Sequence, residues 1–113
     1  MSSSTETRTP IRAADGAELR AVLEAHDRVL VEFYTKGCAM CQAIEPVLGN
    51  VARQTGITVV MANPGDDVEL VDEWSIRSAP TLVLVEDGEE VARLAEGFQG
   101  GDDIEAFLDE HAN

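Results

Sequence analysis

Two cysteines, three positions apart between a strand-like and a helix-like stretch, constrain this chain more than any other feature. Residues 29–34 form an apolar run of strand length that contains one carboxylate, Glu32. Residues 35–37 interrupt the run, and Cys38 and Cys41 then open a stretch whose apolar residues recur at helical spacing. Such spacing is typical of an amphipathic helix. The pattern therefore predicts a buried strand, a tight turn and a helix with both cysteines in its first turn.

This placement gives the two sulfur atoms different chemistry. The first backbone N–H groups of a helix have no partner within the helix, and the helix dipole favours negative charge at that end. The sulfur of Cys38 is therefore expected to be held as the reactive thiolate. Cys41 lies one turn later beside the apolar stripe, so its sulfur should be more buried. We expect Cys38 to attack a disulfide and Cys41 to resolve the resulting mixed disulfide.

A cysteine pair has other possible roles: a structural disulfide, part of a zinc site, or a metal carrier. A tetrahedral zinc site needs four ligands, and neither His26 nor His111 has finger-like spacing to the pair. A disulfide that closes so short a loop adds little stability. The flanking strand and helix favour a redox pair, and the other roles remain as alternatives.

The net charge of −14, from 22 acidic and 8 basic residues, limits the partners. A chain this negative is poorly suited to nucleic acid or to anionic membranes. The acidic residues are scattered along the chain, and Lys36 is its only lysine. Scattered carboxylates repel one another, and concentrated salt screens that repulsion. The carboxylates either form an ordinary solvated face or adapt the surface to high salt, and we favour the adaptation.

The length of 113 residues predicts one domain. Residues 1–10 are rich in Ser and Thr, lack the apolar segment of a secretory signal, and are expected to form a disordered arm before a domain over residues 11–113. No stretch is long enough to cross a membrane. We expect a cytoplasmic protein, and a monomer.

The rest of the chain alternates predicted strands and helices before a hairpin. Asp15 is expected to cap the first helix, with Glu18 completing a capping box, and Asp87-Gly88 is a hairpin signal. The predicted strands span 11–13, 29–35, 57–61, 81–85 and 90–95. The first predicted helix follows Asp15, and the second spans residues 39–55. The third lies near residues 68–74 with Asp66 or Asp67 as cap, and the last follows Gly101 or Asp102 as its cap. This order predicts an α/β fold, with a central mixed five-stranded sheet and helices on both faces.

Two residues depart from the pattern around them. Glu32 places a carboxylate in a strand that is apolar on both faces, where it is costly unless paired or protonated. It is either a proton acceptor beneath Cys41 or a side chain that reaches water near the strand end, and we favour the acceptor. Pro80 stands at the first residue of a strand, where it lacks a donor, and we expect a cis bond between Ala79 and Pro80.

These motifs, in this order, resemble thioredoxin over residues 11–111. The resemblance rests on five features in register. They are the cysteine pair in VEFYTKGCAMCQAIEPVL, the acid at Glu32, the helix proline at Pro46, the proline of IRSAPTLVLV at Pro80, and the glycine at Gly97. The chain departs from the family in having Gly37 before the pair and Ala39-Met40 within it. Met61 appears where a lysine often faces the buried acid.

The resemblance implies a thiol-disulfide oxidoreductase that reduces protein disulfides and binds no cofactor. It implies catalytic roles for Cys38, Cys41, Glu32 and Pro80. Target proteins would dock on Gly37, Ala39, Met40, Ala79, Thr81, Gly97 and Phe98. A flavin-dependent thioredoxin reductase would supply the electrons. The alternative is a dedicated redox partner, or a redox-sensing module of the same fold, with weak general activity.

Overall fold

A computed structural model describes residues 9–111. Within that range the elements are β1 Ile11–Ala13, α1 Gly16–Ala25, β2 Arg28–Phe33, α2 Ala39–Thr55, β3 Thr58–Ala62, a 3-10 turn Pro64–Asp66, α3 Glu69–Trp74, β4 Thr81–Glu86, β5 Glu89–Leu94 and α4 Gly101–Glu110. The predicted order of strands and helices is confirmed. The predicted arm falls outside the described residues except for positions 9 and 10.

One five-stranded sheet, in the order β1-β3-β2-β4-β5, forms the centre of the fold. β1, β3 and β2 run parallel, whereas β4 pairs antiparallel with β2 and with β5. β2 is therefore the central strand, and its last five residues are buried. The mixed sheet and the short edge strand at residues 11–13 are as predicted.

Helices cover both faces of the sheet and enclose two apolar clusters. α2 and α4 pack on one face, where Leu30 of β2 meets Ile44 and Ile104. α1 and α3 pack on the other face, where Val31 meets Leu19 and Leu70. Alternate residues of β2 therefore belong to opposite cores, as the period of a strand requires. Because Glu32 follows Val31, it shares the face of Leu30, beneath α2.

The helix ends differ from the predictions by one or two residues. Asp15 caps α1 by accepting the N–H of Glu18, but the Glu18 carboxylate bonds the N–H of Ala14 rather than that of Asp15. α4 begins after Gly100, earlier than predicted, because the Asp103 side chain reaches back to the Gly100 N–H.

The bounds of four strands also differ from the predictions by one or two residues; β3, for example, spans Thr58–Ala62 rather than residues 57–61. β2 ends at Phe33 rather than at residue 35, and β5 ends at Leu94 rather than at residue 95. The residue before α3 is Val68, whose side chain cannot cap. The Asp67 side chain, one position before Val68, instead accepts the N–H of Glu69.

Of the helices in residues 9–111, none combines the length and apolarity needed to span a bilayer.

Candidate active site

The turn between β2 and α2 places Cys38 at the start of the helix. Gly37 has φ of +75°, a conformation that glycine adopts without steric cost, and an added Cβ there would meet open space. Cys38 follows in extended conformation as the N-cap residue of α2. Its sulfur accepts the backbone N–H of Cys41 at 3.1 Å. One backbone N–H of the first helical turn is thus directed at the Cys38 sulfur.

Cys38 and Cys41 form a disulfide, and their Cα atoms lie 5.2 Å apart. The two residues differ in access: Cys38 is partly exposed, whereas only 1% of Cys41 is exposed. Of the two residues, Cys38 is therefore the one that a partner can reach. The structure therefore shows the oxidised cysteine pair, in which Cys38 is the accessible residue.

The loop before β4 brings a second backbone segment to the disulfide. The Ala79–Pro80 bond is cis, as predicted from the position of the proline. The Cys38 sulfur lies 3.8 Å from the carbonyl oxygen of Ala79. Ala79 is partly exposed, and Pro80 is buried. A chain that reaches Cys38 therefore also passes the backbone of Ala79.

The residues assigned to target docking occupy different environments. Thr81 is 1% exposed, and its hydroxyl donates to the Ser78 carbonyl oxygen at 2.7 Å, so its side chain points into the fold. Met40 and Phe98 are each 48% exposed. Gly97 has φ of +84°, and a Cβ there would lie 3.4 Å from the Met40 sulfur. The structure thus brings Gly97 and Met40 together at the surface, and it keeps the Thr81 side chain inside.

Glu32 lies fully buried in the centre of the sheet. Its cross-strand neighbours are Met61 on β3 and Leu82 on β4, both apolar. Neither carboxylate oxygen has a hydrogen-bond partner among the described residues. The pKa of Glu32 is raised from 4.5 to about 8, chiefly by burial and also by the charge of Glu45, while the charge of Arg12 opposes the rise. Glu32 is therefore mostly protonated at neutral pH, and it does not reach water as the alternative interpretation required.

A charged group beside Glu32 was missed in the sequence analysis. Arg12 on β1 pairs with Met61, which in turn pairs with Glu32, so the three residues form one row across the sheet. The Arg12 guanidinium bonds the Glu45 carboxylate at 3.3 Å and lies 5.1 Å from the centre of the Tyr34 ring. In this row, Arg12 is two strands away from Glu32. A lysine at position 61 would be on the adjacent strand, one strand closer to Glu32. No local sequence pattern signals this row, because the row depends on strand order.

A groove of about 570 Å³ runs from Cys38 along the side of α3. Val68 and Val71, which fall within the helix predicted near residues 68–74, line this groove and are 72% and 39% exposed. Trp74 packs α3 against the sheet, with its ring 5.5 Å from that of Phe33. Within residues 9–111, no three His, Cys, Asp or Glu side chains converge in a way that could hold a metal ion.

Known proteins resemble this chain in both sequence and structure. The family model described as Thioredoxin matches residues 12–110. A thioredoxin from Pseudomonas aeruginosa is 32% identical over 101 residues, which cover 88% of this chain and 93% of that protein. A thioredoxin from Mycobacterium tuberculosis is 32% identical over 91 residues, or 79% and 78% of the two chains. A mutant thioredoxin from Halobacterium salinarum superposes with a TM-score of 0.86 at 31% identity, covering 94% of this chain and 93% of the other.

Proposed function

The chain belongs to the thioredoxin family and is a thiol-disulfide oxidoreductase, and on that premise we propose that it works as a protein-disulfide reductase. One observation carries the proposal: the sulfur of partly exposed Cys38 at a helix start lies beside the carbonyl oxygen of partly exposed Ala79, and Cys41 is buried. This arrangement suits attack by Cys38 on an extended segment of another protein. The Ala79 backbone would pair with that segment as a short strand.

The reaction transfers two electrons from the reduced pair to the target. The Cys38 thiolate attacks one sulfur of the target disulfide, and the other target sulfur leaves as a thiolate and takes a proton from water. The Cys41 thiol then loses its proton and attacks the Cys38 sulfur, which releases the second target thiolate. The target ends with two thiols, and the chain ends with the Cys38–Cys41 disulfide.

We further propose that Glu32 accepts the Cys41 proton, directly or through water, as the second step begins. Its position beneath α2 and its pKa of about 8 support this role, because a base with a pKa near the working pH transfers protons efficiently. Only the ionised carboxylate can accept a proton. The resolving rate should therefore rise with pH until about 8.

Replacing Glu32 with Gln tests this role. We expect the resolving step to slow by about 10-fold or more, and its rise toward pH 8 to disappear, because the amide cannot take a proton. The step is measured by mixing a preformed mixed disulfide of Cys38 with buffers of different pH and quenching with acid. The Glu24→Gln variant, which changes an exposed acid on α1, is the control. An unchanged rate in the Glu32→Gln variant would return Glu32 to a structural role.

The reduction of insulin disulfides by dithiothreitol tests whether the chain acts as a reductase. The chain should accelerate it, and a rate equal to that of dithiothreitol alone would overturn the proposal. We propose a midpoint potential nearer the ~−270 mV of reducing members of this fold than the ~−120 mV of strong oxidants, because no histidine lies between the cysteines. Equilibration with glutathione measures it.

The remaining assignments follow from the family and the charge. We propose disulfide-containing proteins as targets, a flavin-dependent thioredoxin reductase as donor, a cytoplasmic location, a monomeric state and no cofactor on the chain itself. Nucleic acids and anionic membranes are disfavoured by the net charge of −14.

A dedicated redox partner is the second candidate, and the surface beside the disulfide favours it. Ala39 and Met40 are exposed in place of the Gly-Pro that the family usually has between its cysteines. A protein specialised for one partner would reduce insulin slowly. Its Cys41→Ser variant would nevertheless form a stable mixed disulfide with that one partner.

We also propose that the acidic surface is an adaptation to concentrated salt, which the resemblance to the Halobacterium salinarum thioredoxin supports. Screening of carboxylate repulsion should raise the melting temperature by about 10 °C or more between ~0.1 M and ~3 M KCl. Circular dichroism measures the transition. Sucrose of matched osmolality is the control, because it is excluded from protein surfaces without screening charge. A melting temperature that KCl leaves unchanged would contradict this adaptation.

A further inference from the structure

The basic side chains of this acidic protein divide into paired and unpaired groups. Arg8 lies outside the described residues, so seven of the eight Lys and Arg residues can be compared. Four of them form ion pairs: Arg12–Glu45, Arg20–Glu73, Arg28–Glu86 and Arg93–Glu90. Arg53 bonds the Asn50 side chain. Lys36 and Arg77 have neither an ion pair nor a side-chain hydrogen bond within residues 9–111.

Both unpaired cations flank the reactive sulfur, although they are 41 positions apart in sequence. Lys36 lies two residues before Cys38, and Arg77 lies two residues before Ala79, whose carbonyl oxygen is 3.8 Å from the Cys38 sulfur. Two residues span at most about 7 Å of chain, which is within reach of these long side chains. Both side chains are exposed. The accessible sulfur thus lies within reach of two positive charges that no carboxylate of the described chain neutralises.

Arg77 also borders the groove along α3, and this groove has an apolar wall. Val68, Val71 and Ile76 line it together with Arg77 and Cys38. A segment lying in the groove could bury an apolar side chain against the valines while its disulfide faces Cys38. A carboxylate two or three residues from that disulfide would then lie near Arg77, since an extended chain advances about 3.3 Å per residue. The guanidinium matches a carboxylate with two parallel hydrogen bonds.

We propose that Lys36 and Arg77 select target disulfides flanked by Asp or Glu, held in the groove along α3. This inference rests on the proposed reductase function and names its substrate class. The net charge of −14 repels acidic partners at long range, but in salt that repulsion is screened beyond about 8–10 Å. At contact, the two unpaired cations supply the only uncompensated positive charge beside the sulfur in the described part of the chain. Acidic flanks therefore gain an interaction here that neutral or basic flanks do not.

The test uses three synthetic peptides that differ only around an intrachain disulfide. One carries Asp and Glu flanks, the second carries Asn and Gln, and the third carries Lys and Arg. The reduced protein is mixed with each peptide, quenched with iodoacetamide and analysed by mass spectrometry. Each turnover converts one peptide disulfide into two thiols and forms one Cys38–Cys41 disulfide. The KCl concentration is the lowest at which circular dichroism shows the folded chain.

We expect the wild-type protein to reduce the acidic peptide about three- to ten-fold faster than the amide peptide, and the basic peptide most slowly. Lys36→Gln and Arg77→Gln should each bring the acidic-to-amide ratio toward one. Arg53→Gln is the matched control, because it removes the same single positive charge. Arg53 lies roughly 21 Å from Ala39 along α2, far from the sulfur. The ratio of this variant should equal that of the wild type, and raising KCl should lower the wild-type ratio.

Two results would overturn the inference. One is an acidic peptide reduced no faster than the amide peptide by the wild type. The other is an acidic-to-amide ratio that falls as far in the Arg53→Gln variant as in the Arg77→Gln variant. The preference would then depend on net charge rather than on the position of the cation. If no peptide is reduced at all, the reductase function fails and the inference fails with it. Reduction of all three peptides at one rate removes the inference alone.

Discussion

Replacing Cys38 with Ser is expected to lower insulin reduction to within about a few per cent of the dithiothreitol background. The hydroxyl of serine cannot exchange with a disulfide, and the Cys41 sulfur is too buried to replace the lost nucleophile. The rate is followed by the turbidity of the released insulin chain. Full activity of the Cys38→Ser variant would contradict the assignment of Cys38 as the attacking residue.

The Cys41→Ser variant is the matched control, because it lacks the same disulfide but keeps the accessible sulfur. It should also lose turnover, yet it should accumulate a mixed disulfide with insulin that mass spectrometry detects on Cys38. The Cys38→Ser variant should show none. A difference between these two variants cannot come from loss of the disulfide's contribution to stability. Equal trapping by both would mean that the exposed and buried sulfurs are interchangeable.

Glu32 is expected to make the stability of the oxidised protein depend strongly on pH. Its pKa is raised to about 8 in the folded chain from an ordinary value of 4.5, so the folded state holds the proton more tightly than the unfolded state does. Its contribution to stability is therefore complete below about pH 4.5, falls as pH rises, and is lost above about 8. The total loss should be roughly 3–5 kcal/mol.

Urea unfolding of wild type and Glu32→Gln at several pH values measures this contribution. The amide does not ionise, so the free energy of unfolding of the variant should gain roughly 3–5 kcal/mol on the wild type between pH 5 and pH 9. The change with pH is the test, because a buried amide without partners carries its own constant cost. Glu24→Gln, at an exposed position on α1, should parallel the wild type. Parallel curves for Glu32→Gln would contradict a carboxyl kept neutral by burial.

The local features of the active site could be predicted from short stretches of sequence. The spacing of Cys38 and Cys41 relative to the apolar stripe predicted the helix and the greater burial of the second cysteine. The position of Pro80 predicted a cis bond, and Asp87-Gly88 predicted the hairpin, where both residues have positive φ. Each of these depends on backbone preferences and side chains within about one helical turn or one tight turn. Neighbouring residues alone therefore specify them.

The features that tune the site depend on residues distant in sequence. Arg12 lies 20 positions from Glu32, and only the order β1-β3-β2 brings them into one row with Met61 between them. The exposure of Val68 and Val71 could not be inferred from helical spacing. α3 is only six residues long, and Val71 lines the groove beside Cys38 while Leu70 of the same helix is buried in the core.

Sequence by itself thus determined the fold class, the redox pair and which sulfur is accessible, because those depend on local spacing and on the apolar pattern of each element. Tertiary structure alone decided that Glu32 and the two cations near the Cys38 sulfur, Lys36 and Arg77, have no side-chain partner within residues 9–111. Such properties depend on which strands become neighbours and which cations find a carboxylate, and long-range packing settles both.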